Sequence, residues 1–362
     1  MGKTKKDLYF LQQAICLAKK GEGFTSPNPL VGAVITKNNK IIAKGYHKRC
    51  GLPHAEIEAI KSAKGDLKGS TLYINLEPCC HFGKTGPCVD EIIKRGIKKV
   101  FISTIDPNPK VKGKSIKRLR KEGVKVELGL AKKEALELNE IFFKNMNKKR
   151  PFVVAKLAQS LDGKIASSKG ISKWITSSQS RKFAKSLRDK YDCVLIGANT
   201  LKKDNPKLNG LKKIPYKVVI SSKLDLPKSS YIFKNNPEKL IIFTSQKKKL
   251  KRKTIPSKAR VFYLKEDRGF FSPDEILKKL YKLDIMSVFV EGGSKTLGYF
   301  FKKKRVDKVY FFIAPLVLGG SDALCSIGAG GFSSPIKAAT IKNIDIKHIG
   351  RDFLFSGYPE YR

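Results

Sequence analysis

The length, composition and charge of this 362-residue chain set the first limits on what it can be. The length suits two domains of ordinary size, and a hydrophobic content of 41% is enough for real cores. The formal net charge of +44 raises the question of nucleic-acid binding, but lysine is spread along the whole chain. With no stretch apolar enough to cross a membrane and no signal peptide, we expect a cytoplasmic protein with no membrane partner and no specific nucleic-acid partner.

The predicted elements of the first half alternate between helix and strand. The opening helix has Leu8, Leu11, Ile15 and Ala18 on one face, and a hairpin follows with its turn at 38–39. The later elements are a helix from 54, strand 71–76, a helix from 88, strand 100–104, helix 116–121, strand 124–128 and helix 132–145. This alternation predicts a three-layer α/β sandwich over residues 1–147.

The second half predicts another α/β unit after a polar junction at 147–151, so that the second domain covers 148–362. Its expected strands lie near 152–157, 193–196, 217–221, 240–244, 287–290 and 309–313, and its expected helices at 178–189 and 273–283. Strand-helix alternation favours a largely parallel sheet. The densest lysine run, 247–253, falls between two of the strands and is interpreted as a solvated loop.

The seven cysteines argue against a disulfide framework and for a reducing compartment, because their number is odd. Four of them lie scattered in apolar surroundings, and we expect these to be inert buried thiols: Cys16, Cys50, Cys193 and Cys325. The others cluster between positions 79 and 88.

The segment His54-Ala55-Glu56, followed by Cys79 and Cys88, has the order of a zinc-dependent nucleobase deaminase. One imidazole and two thiolates leave the fourth position of a tetrahedral zinc ion open for water, as a catalytic site requires. Glu56 is not needed as a ligand and can carry a proton from that water to a base. The common spacing would put the second cysteine at position 82, which is Phe, so Cys88 closes the site across a longer loop.

Local patterns place His54 and Cys88 at the starts of two helices, where the helix dipole favours a thiolate or a metal ligand. The alternative is a closed structural zinc site with Cys80 or His81 as fourth ligand, which would leave Glu56 unexplained. We interpret Cys80 as a small buried filler instead.

A glycine-containing turn at 292–298 joins a predicted strand to a helix, which is a place where backbone N–H groups hold phosphate. Its spacing is neither that of a Rossmann turn nor that of a Walker motif. A glycine turn with no ligand remains an equal alternative.

Together these motifs resemble the family of bifunctional riboflavin-biosynthesis deaminase-reductases over nearly the whole chain. The motifs of the first half are Pro27-Asn28-Pro29-Leu30-Val31-Gly32-Ala33-Val34, Gly45-Tyr46-His47, Pro53-His54-Ala55-Glu56 and the segment 77–88. Those of the second half are the segments 156–164, 172–176, 197–200, 204–206 and 290–293. The resemblance implies a cytidine-deaminase-like sandwich followed by a dihydrofolate-reductase-like α/β domain.

For the first domain, the resemblance implies hydrolytic deamination of 2,5-diamino-6-ribosylamino-4-pyrimidinone 5′-phosphate. Zinc bound by His54, Cys79 and Cys88 would activate water, with Glu56 as the proton carrier. Substrate contacts would come from Asn28, His47 and Lys84. Without the resemblance, we would interpret Asn28 as a turn residue and His47 as a surface imidazole.

For the second domain, the resemblance implies NADPH-dependent reduction of the ribosyl group to ribityl. The cofactor-binding residues would be Ala158, Trp174, Thr200, Asp204, Ser222, Gly293, Ser294, Lys295, Thr296, Leu297 and Gly298. The substrate-binding residues would be Ser172, Arg188, Leu208, Leu211 and Glu291. We expect Lys156 and Glu291 to balance the charge that develops at the reacting sugar. The alternatives are a surface lysine for Lys156, a turn cap for Glu291 and a core residue for Trp174.

Three positions depart from the family pattern. Leu211 stands where the family usually has an arginine that holds the ribose phosphate, and Lys212 or Lys213 would have to supply that charge without a bidentate guanidinium. Cys80 replaces a serine and Gly86 a proline beside the zinc ligands, which suggests a looser loop.

Two other functions fit parts of the sequence. The zinc motif and the positive charge would also suit a deaminase of RNA or free bases, and a degenerate deaminase scaffold could serve as an RNA-binding or structural protein. The second half distinguishes them, because an RNA deaminase has no reason to carry the 292–298 turn beside Glu291. The sequence leaves assembly into a homo-oligomer open.

Overall fold

The computed structural model describes residues 3–82, 86–246, 255–267 and 269–362 and divides into two compact units. The first unit is Met1–Lys149 and the second is Arg150–Arg362. The domain boundary predicted between 147 and 148 lies beside this division.

The first unit is a three-layer α/β sandwich. Its elements are α1 (Lys3–Lys19), β1 (Gly32–Lys37), β2 (Lys40–Tyr46), α2 (Ala55–Ser62), β3 (Thr71–Ile74), α3 (Cys88–Lys94), β4 (Lys99–Ile102), α4 (Lys114–Lys121), β5 (Lys125–Leu128), α5 (Lys132–Leu138) and α6 (Glu140–Lys148). Among the described residues the sheet order is β2-β1-β3-β4-β5. β1 runs antiparallel to β2 and β3, whereas β3, β4 and β5 are parallel.

Strand alternation gives this sheet two apolar faces. In β1, Ala33 and Ile35 pack in a cluster with residues of α2, α3 and α4, whereas Val34 packs on the other side with α1. Successive strand side chains point to opposite faces, so a run of apolar residues in a strand requires helices on both sides. The predicted three-layer arrangement is thereby confirmed.

The helix predicted at 132–145 is wrong as a single element, because Asn139 separates α5 from α6. The buried Asn139 side chain accepts a hydrogen bond from the backbone N–H of Leu30 at 2.8 Å and donates one to the carbonyl of Leu30 at 2.9 Å. These bonds hold Asn139 at φ −106° and ψ 22°, outside helical geometry.

The second unit is an α/β domain built on one large sheet. Its strands are β6 (Phe152–Ser160), β7 (Cys193–Gly197), β8 (Tyr216–Ile220), β9 (Leu240–Ser245), β10 (Arg260–Leu264), β11 (Glu266–Asp267), β12 (Phe270–Phe271), β13 (Ser287–Val290), β14 (Lys308–Ala314), β15 (Thr340–Ile349) and β16 (Asp352–Glu360). Its helices are α7 (Ser178–Leu187), α8 (Ala198–Asp204), α9 (Tyr231–Lys234), α10 (Pro273–Tyr281) and α11 (Ser294–Lys302).

Among the described residues the large sheet has the order β10-β9-β8-β7-β13-β6-β14-β16-β15. It is parallel from β10 to β14, and β16 and β15 are antiparallel additions. The six predicted strands are confirmed. β15 was not predicted because it is exposed along most of its length and so lacks an apolar run.

The cysteine environments differ from the expectation. Cys193 is buried, but Cys16 and Cys325 are exposed and Cys50 is half-buried, so the expected burial is wrong for these three. Cys16 directly follows the buried Ile15 in α1, and one helical step turns it away from the core. The lysine run 247–253, predicted as a loop, lies outside the described residues. No helix in the described ranges is long and apolar enough to cross a membrane.

Candidate active sites

The three predicted zinc ligands meet at the ends of two helices in the first unit. His54 immediately precedes α2, Cys88 is the first residue of α3, and Cys79 lies in the loop after β3. The Nδ1 atom of His54 is 3.3 Å from Sγ of Cys88 and 3.5 Å from Sγ of Cys79, and all three ligand atoms lie within 4.8 Å of one another.

This donor set fits zinc. Zinc–ligand bonds of about 2.0 to 2.3 Å place tetrahedral ligand atoms about 3.5 Å apart, in agreement with the His54–cysteine distances. A hydrogen bond from the Cys88 thiol is the main cause that lowers the pKa of Cys79 to about 4, and the same contact raises the pKa of Cys88. Two thiols that share one proton in this way are suited to a dication that binds both as thiolates.

The positions of Cys80 and His81, the two candidates for a fourth ligand, do not support a closed structural zinc site. The Cys80 thiol, which is half-buried rather than a buried filler, donates to the carbonyl of Lys110 at 3.7 Å, and neither Cys80 nor His81 belongs to the three-residue cluster. Three ligands therefore converge, and a fourth position is left for water or substrate.

Glu56 lies beside this cluster as the second residue of α2, and it is buried. Burial, followed by the charge of Cys79, raises the pKa of Glu56 to about 7. A carboxyl group with a pKa near neutrality can both accept and release a proton, which is what a general acid–base requires.

Two of the three predicted substrate residues of this domain, Asn28 and His47, form a hydrogen-bonded pair. Nδ2 of Asn28 lies 3.2 Å from Nε2 of His47, and Nδ1 of His47 lies 3.1 Å from the carbonyl of Pro53. The His47 ring is buried and stands edge-on to the His54 ring, and burial lowers the pKa of His47. A neutral His47 with both nitrogens engaged orients Asn28, whose carbonyl oxygen can then contact a ligand. Lys84 lies outside the described residues.

Sequence reasoning missed Glu77, which precedes the Pro78-Cys79 pair. Its buried carboxylate accepts hydrogen bonds from the backbone N–H groups of Asp106 at 3.2 Å, Gly113 at 2.9 Å and Ser115 at 3.2 Å. These bonds anchor the cysteine loop to the segment 106–115. The signal in the sequence was an acidic residue directly after a mostly apolar predicted strand.

In the second unit, Lys156, Arg188 and Glu291 form a buried charge cluster. Val290 in β13 pairs with Ala155 in β6, so the next residue of each strand, Glu291 and Lys156, lie side by side. Nζ of Lys156 is 3.8 Å from Oε2 of Glu291, and Arg188 at the end of α7 donates through Nη2 to Oε2 at 2.8 Å and through Nε to Oε1. The alternatives of a surface lysine and a turn cap are wrong, because the side chains of Lys156 and Glu291 are only 17% and 6% exposed.

Burial and the neighbouring charges together set the pKa values of Glu291 and Lys156. Burial acts to raise the pKa of Glu291, but the charges of Arg188 and Lys156 outweigh it, and the pKa is lowered. Burial also lowers the pKa of Lys156, despite the opposing charge of Glu291. Glu291 is therefore ionised at neutral pH.

The turns after β7 and β13 face each other at the carboxyl edge of the sheet. Oγ1 of Thr200 would lie 3.5 Å and 3.6 Å from Cβ atoms added at Gly292 and Gly293, and Oγ1 of Thr296 would lie 3.0 Å from one added at Gly197. The narrow gap between these two turns, and the start of α11 beside it, suit a phosphate-containing ligand. Ser294 is buried next to Cys325, with 3.8 Å between Oγ and Sγ, and Lys295 lies on the exposed side of the helix.

Two of the residues predicted to contact the cofactor are packed closely against the rest of the unit. Leu297 is buried in the apolar core, and a Cβ added at Gly298 would lie 1.4 Å from the carbonyl oxygen of Gly328. The outer turn of α11 is thus available for ligand contact, and the 297–298 side is packed.

The other predicted cofactor residues follow strand ends at the same edge or lie close to them. Oγ of Ser172 donates to Oδ1 of Asp204 at 3.5 Å, which joins a predicted substrate residue to a predicted cofactor residue. Trp174 is 69% exposed at φ 68°, with the Arg181 guanidinium 4.3 Å above its ring, so it is not a core residue. Ala158 is half-buried in β6 beside Phe312, and Ser222 follows β8.

The two predicted leucine contacts differ in exposure. Leu208 is only 2% exposed and adopts φ 57°, whereas Leu211 is 47% exposed. Of these, Leu211 can contact a ligand through its side chain in the present arrangement. Sequence reasoning missed Asp189, the acceptor of the backbone N–H groups of Leu211, Lys212 and Lys213.

Family models match both units. Residues 4–104 match the cytidine and deoxycytidylate deaminase zinc-binding region, and residues 151–355 match the RibD C-terminal domain. The molecule is thus a two-domain protein that joins a zinc-dependent deaminase domain to a reductase domain of the RibD type, which uses NADPH.

Full-length relatives identify the family. The riboflavin biosynthesis protein RibD of Aquifex aeolicus is 41% identical over 352 residues, which cover 96% of this chain and 97% of that protein. The crystal structure of a diaminohydroxyphosphoribosylaminopyrimidine deaminase/5-amino-6-(5-phosphoribosylamino)uracil reductase from Thermotoga maritima is 38% identical with a TM-score of 0.88, covering 99% of this chain and 100% of that one. The structure of RibD from Acinetobacter baumannii is 31% identical with a TM-score of 0.89, and the match covers 99% of this chain and 100% of that one. The chain belongs to the RibD family of riboflavin biosynthesis proteins.

Proposed function

We propose that the first unit removes ammonia from 2,5-diamino-6-ribosylamino-4-pyrimidinone 5′-phosphate and that the second unit reduces the ribosyl group of the product to ribityl with NADPH. The observation that carries this proposal is the presence, on one chain, of a three-ligand cluster beside Glu56 and of a buried charge cluster at the carboxyl edge of a parallel sheet. The Thermotoga maritima relative is both a deaminase and a reductase, which supports the same two steps.

In the deaminase step, zinc supplies Lewis-acid activation of the attacking water. Glu56 would take one proton from that water and deliver it to the ring nitrogen as the hydroxide adds to the amino-bearing carbon. It would then take the second proton, from the added hydroxyl, and deliver it to the amine as the C–N bond breaks and ammonia leaves, which its pKa of about 7 allows. Asn28, held by His47, offers its side-chain carbonyl to a polar group of the substrate. Lys84 would offset the phosphate charge.

In the reductase step, bound NADPH supplies the hydride. Thr200, Gly293 and Thr296 would contact the dinucleotide around the narrow gap, together with Ser294 and Lys295. Asp204, Trp174, Ala158 and Ser222 would complete the cofactor set, and Ser172, which donates to Asp204, would contact the substrate. Arg188, Leu208 and Leu211 would contact the substrate.

Lys156 would donate the proton to the opening sugar ring, because it lies 3.8 Å from Glu291 at this edge of the sheet and burial lowers its pKa. Glu291 keeps Lys156 and Arg188 in place and remains ionised. Lys156 and Glu291 would then balance the charge that develops at the reacting carbon, while Glu291 stays ionised.

A coupled assay tests the function directly. Purified protein receives the diaminopyrimidinone phosphate with and without NADPH, and both products are identified by mass. We expect the deaminated nucleotide alone without NADPH, and a second product carrying two more hydrogen atoms with it. Failure to release ammonia from the zinc-loaded protein would contradict the deaminase assignment.

A deaminase of RNA is the rival that the net charge of +44 suggests. Binding of NADPH and of tRNA, measured separately at physiological salt, discriminates between the two. Saturable NADPH binding without tRNA retention is the expected result, and the reverse result would exclude the reductase function.

The exposed strand β15 supports assembly into a homodimer. β15 is the last strand in the sheet order, and Ile344 and Ile346 on it are 53% and 60% exposed. An edge strand with exposed apolar residues can pair with the same strand of a second copy. Sedimentation of the double variant Ile344→Lys/Ile346→Lys should give a monomer if wild type is a dimer through this edge; an unchanged dimer would locate the interface elsewhere.

The thiols support a reducing, cytoplasmic location. All seven cysteines are free, and two that are not near the zinc cluster, Cys16 and Cys325, are exposed. Exposed thiols persist in compartments that keep them reduced. Fractionation of the producing cells, followed by detection of the protein, tests this location.

A further inference from the structure

Two adjacent residues of opposite charge, Arg188 and Asp189, follow α7 and hold the segment 209–213. Nη1 of Arg188 donates to the carbonyl of Asn209 at 3.0 Å, while its other N–H groups reach Glu291. Asp189 accepts the N–H of Leu211 through Oδ2 at 3.1 Å, and those of Lys212 and Lys213 through Oδ1 at 3.0 Å each. One short stretch of backbone therefore connects the buried charge cluster to this segment.

The segment is built around the Asp189 carboxylate. Three successive backbone N–H groups that converge on one anion form a nest, an arrangement that proteins also use for phosphate. A Cβ atom added at Gly210 would lie 2.0 Å from Oδ1 of Asp189, so a side chain there would displace the carboxylate. The N–H of Gly210 also donates to the carbonyl of Lys213 at 3.0 Å, which closes the turn.

The filled nest determines what the segment can offer a ligand. Because Asp189 already occupies the N–H groups of 211–213, an incoming anion meets side chains instead. Those side chains differ: Leu211 and Lys212 are exposed, whereas Lys213 is half-buried towards the carboxylates of Asp192 and Asp189.

We propose that Asp189 is a positioning residue of the reductase site: by filling the nest it fixes the distance between the Arg188–Glu291 pair and the exposed residues Leu211 and Lys212, so that a phosphorylated nucleotide can contact both. This inference rests on the proposed reductase function. Asp189 touches neither the reacting carbon nor the cofactor, and acts through the position of the segment.

The test is steady-state kinetics of Asp189→Ala with the deaminated nucleotide and NADPH. We expect KM for the nucleotide to rise about tenfold, which corresponds to about 1.4 kcal/mol, with kcat within about twofold of wild type. Added formate should lower KM again, because it can occupy the space left by the carboxylate. The deaminase activity of the same polypeptide is the internal control.

The matched control is Asp274→Ala. Asp274 is a carboxylate at the start of α10 that pairs with Arg305 before β14, at the amino edge of the sheet, and its removal should leave KM unchanged. An unchanged KM in Asp189→Ala, or a fall in kcat and thermal stability that formate does not reverse, would overturn the proposal.

Asp189→Asn keeps the shape of the side chain and one oxygen acceptor, and decides the question if the alanine variant does not fold. It should raise KM about threefold, since a neutral acceptor forms weaker hydrogen bonds than a carboxylate, and an unchanged KM overturns the proposal. A wild-type protein that does not reduce the nucleotide at all would instead refute the proposed function, so the two failures are distinguishable.

Discussion

The two units each bury a glutamate beside their candidate site, and the two carboxyl groups behave in opposite ways. Burial raises the pKa of Glu56 to about 7, because only the His54 ring and hydrogen bonds oppose it. The pKa of Glu291 is lowered, because Arg188 and Lys156 provide two positive charges within its contact distance.

This difference shows that burial alone does not define the role of a carboxylate. A carboxyl group near neutrality suits proton transfer, as proposed for Glu56. A carboxylate held between two cations stays ionised and instead fixes their positions, as proposed for Glu291. The partners of each glutamate, rather than its depth, therefore separate a proton carrier from an anchor.

The largest expected effect is that of Glu56→Gln. Without its proton carrier, the rate of ammonia release should fall about a thousandfold or more. Because Glu56 is not a ligand, zinc should remain bound at one equivalent, and the reductase activity should be unchanged. Ammonia release and metal analysis of the same sample check both points.

Glu58→Gln provides the matched control, since Glu58 lies on the same helix and pairs with Lys48. It should retain ammonia release. If Glu56→Gln loses zinc, the role of Glu56 is structural rather than proton transfer.

Glu291→Gln should have the next largest effect. It leaves two buried cations without a counter-charge, and we expect a loss of about 3 kcal/mol in the free energy of unfolding. Reductase kcat/KM should fall about a hundredfold, equivalent to about 2.7 kcal/mol, with ammonia release unaffected. Denaturant unfolding and the two separate assays measure these effects.

Asp307→Asn separates the structural from the functional part of that loss. Asp307 accepts two hydrogen bonds from Arg150, at 2.7 and 2.9 Å, and one from the N–H of Val153, at the opposite edge of the sheet. It should destabilise the protein without lowering kcat/KM of the surviving folded enzyme. Equal losses of activity in both variants would make Glu291 a stability residue only.

The pH dependence of stability gives a smaller, independent test of the same anchor. The pKa of Glu291 is lower in the folded protein than its usual 4.5, so its ionised form stabilises the fold above pH 4.5 and this contribution disappears as the pH falls through the lowered value. The Tm difference between wild type and Glu291→Gln should be constant near neutrality and shrink below about pH 4.5. A difference that does not change down to pH 3 would mean that Glu291 is not ionised in the fold.

The residues themselves indicated the deaminase cluster, whereas only the family resemblance indicated the reductase cluster, and the reason is physical. His54, Glu56 and Cys88 lie at helix starts and Cys79 in a short loop between them, and metal chemistry restricts both the identity and the spacing of the ligands. Lys156 and Glu291 meet through the register of β6 and β13, and Arg188 reaches them from the end of α7. The break at Asn139 and the nest filled by Asp189 depend on tertiary hydrogen bonds, which local patterns do not reveal.

The smallest expected effect is that of Leu211→Arg on KM, and it tests the positive charges proposed to bind the substrate rather than the carboxylates. Leu211 is 47% exposed and only its backbone N–H is bound by Asp189, so Leu211→Arg adds a guanidinium without disturbing that contact. Because a guanidinium binds phosphate bidentately and the ammonium of Lys212 does not, KM for the deaminated nucleotide should fall about threefold. Leu211→Gln, of similar length but uncharged, should not lower it. An unchanged KM in Leu211→Arg would indicate that this segment binds the phosphate through other groups, and that the cations at Lys156 and Arg188 are sufficient for the reductase site.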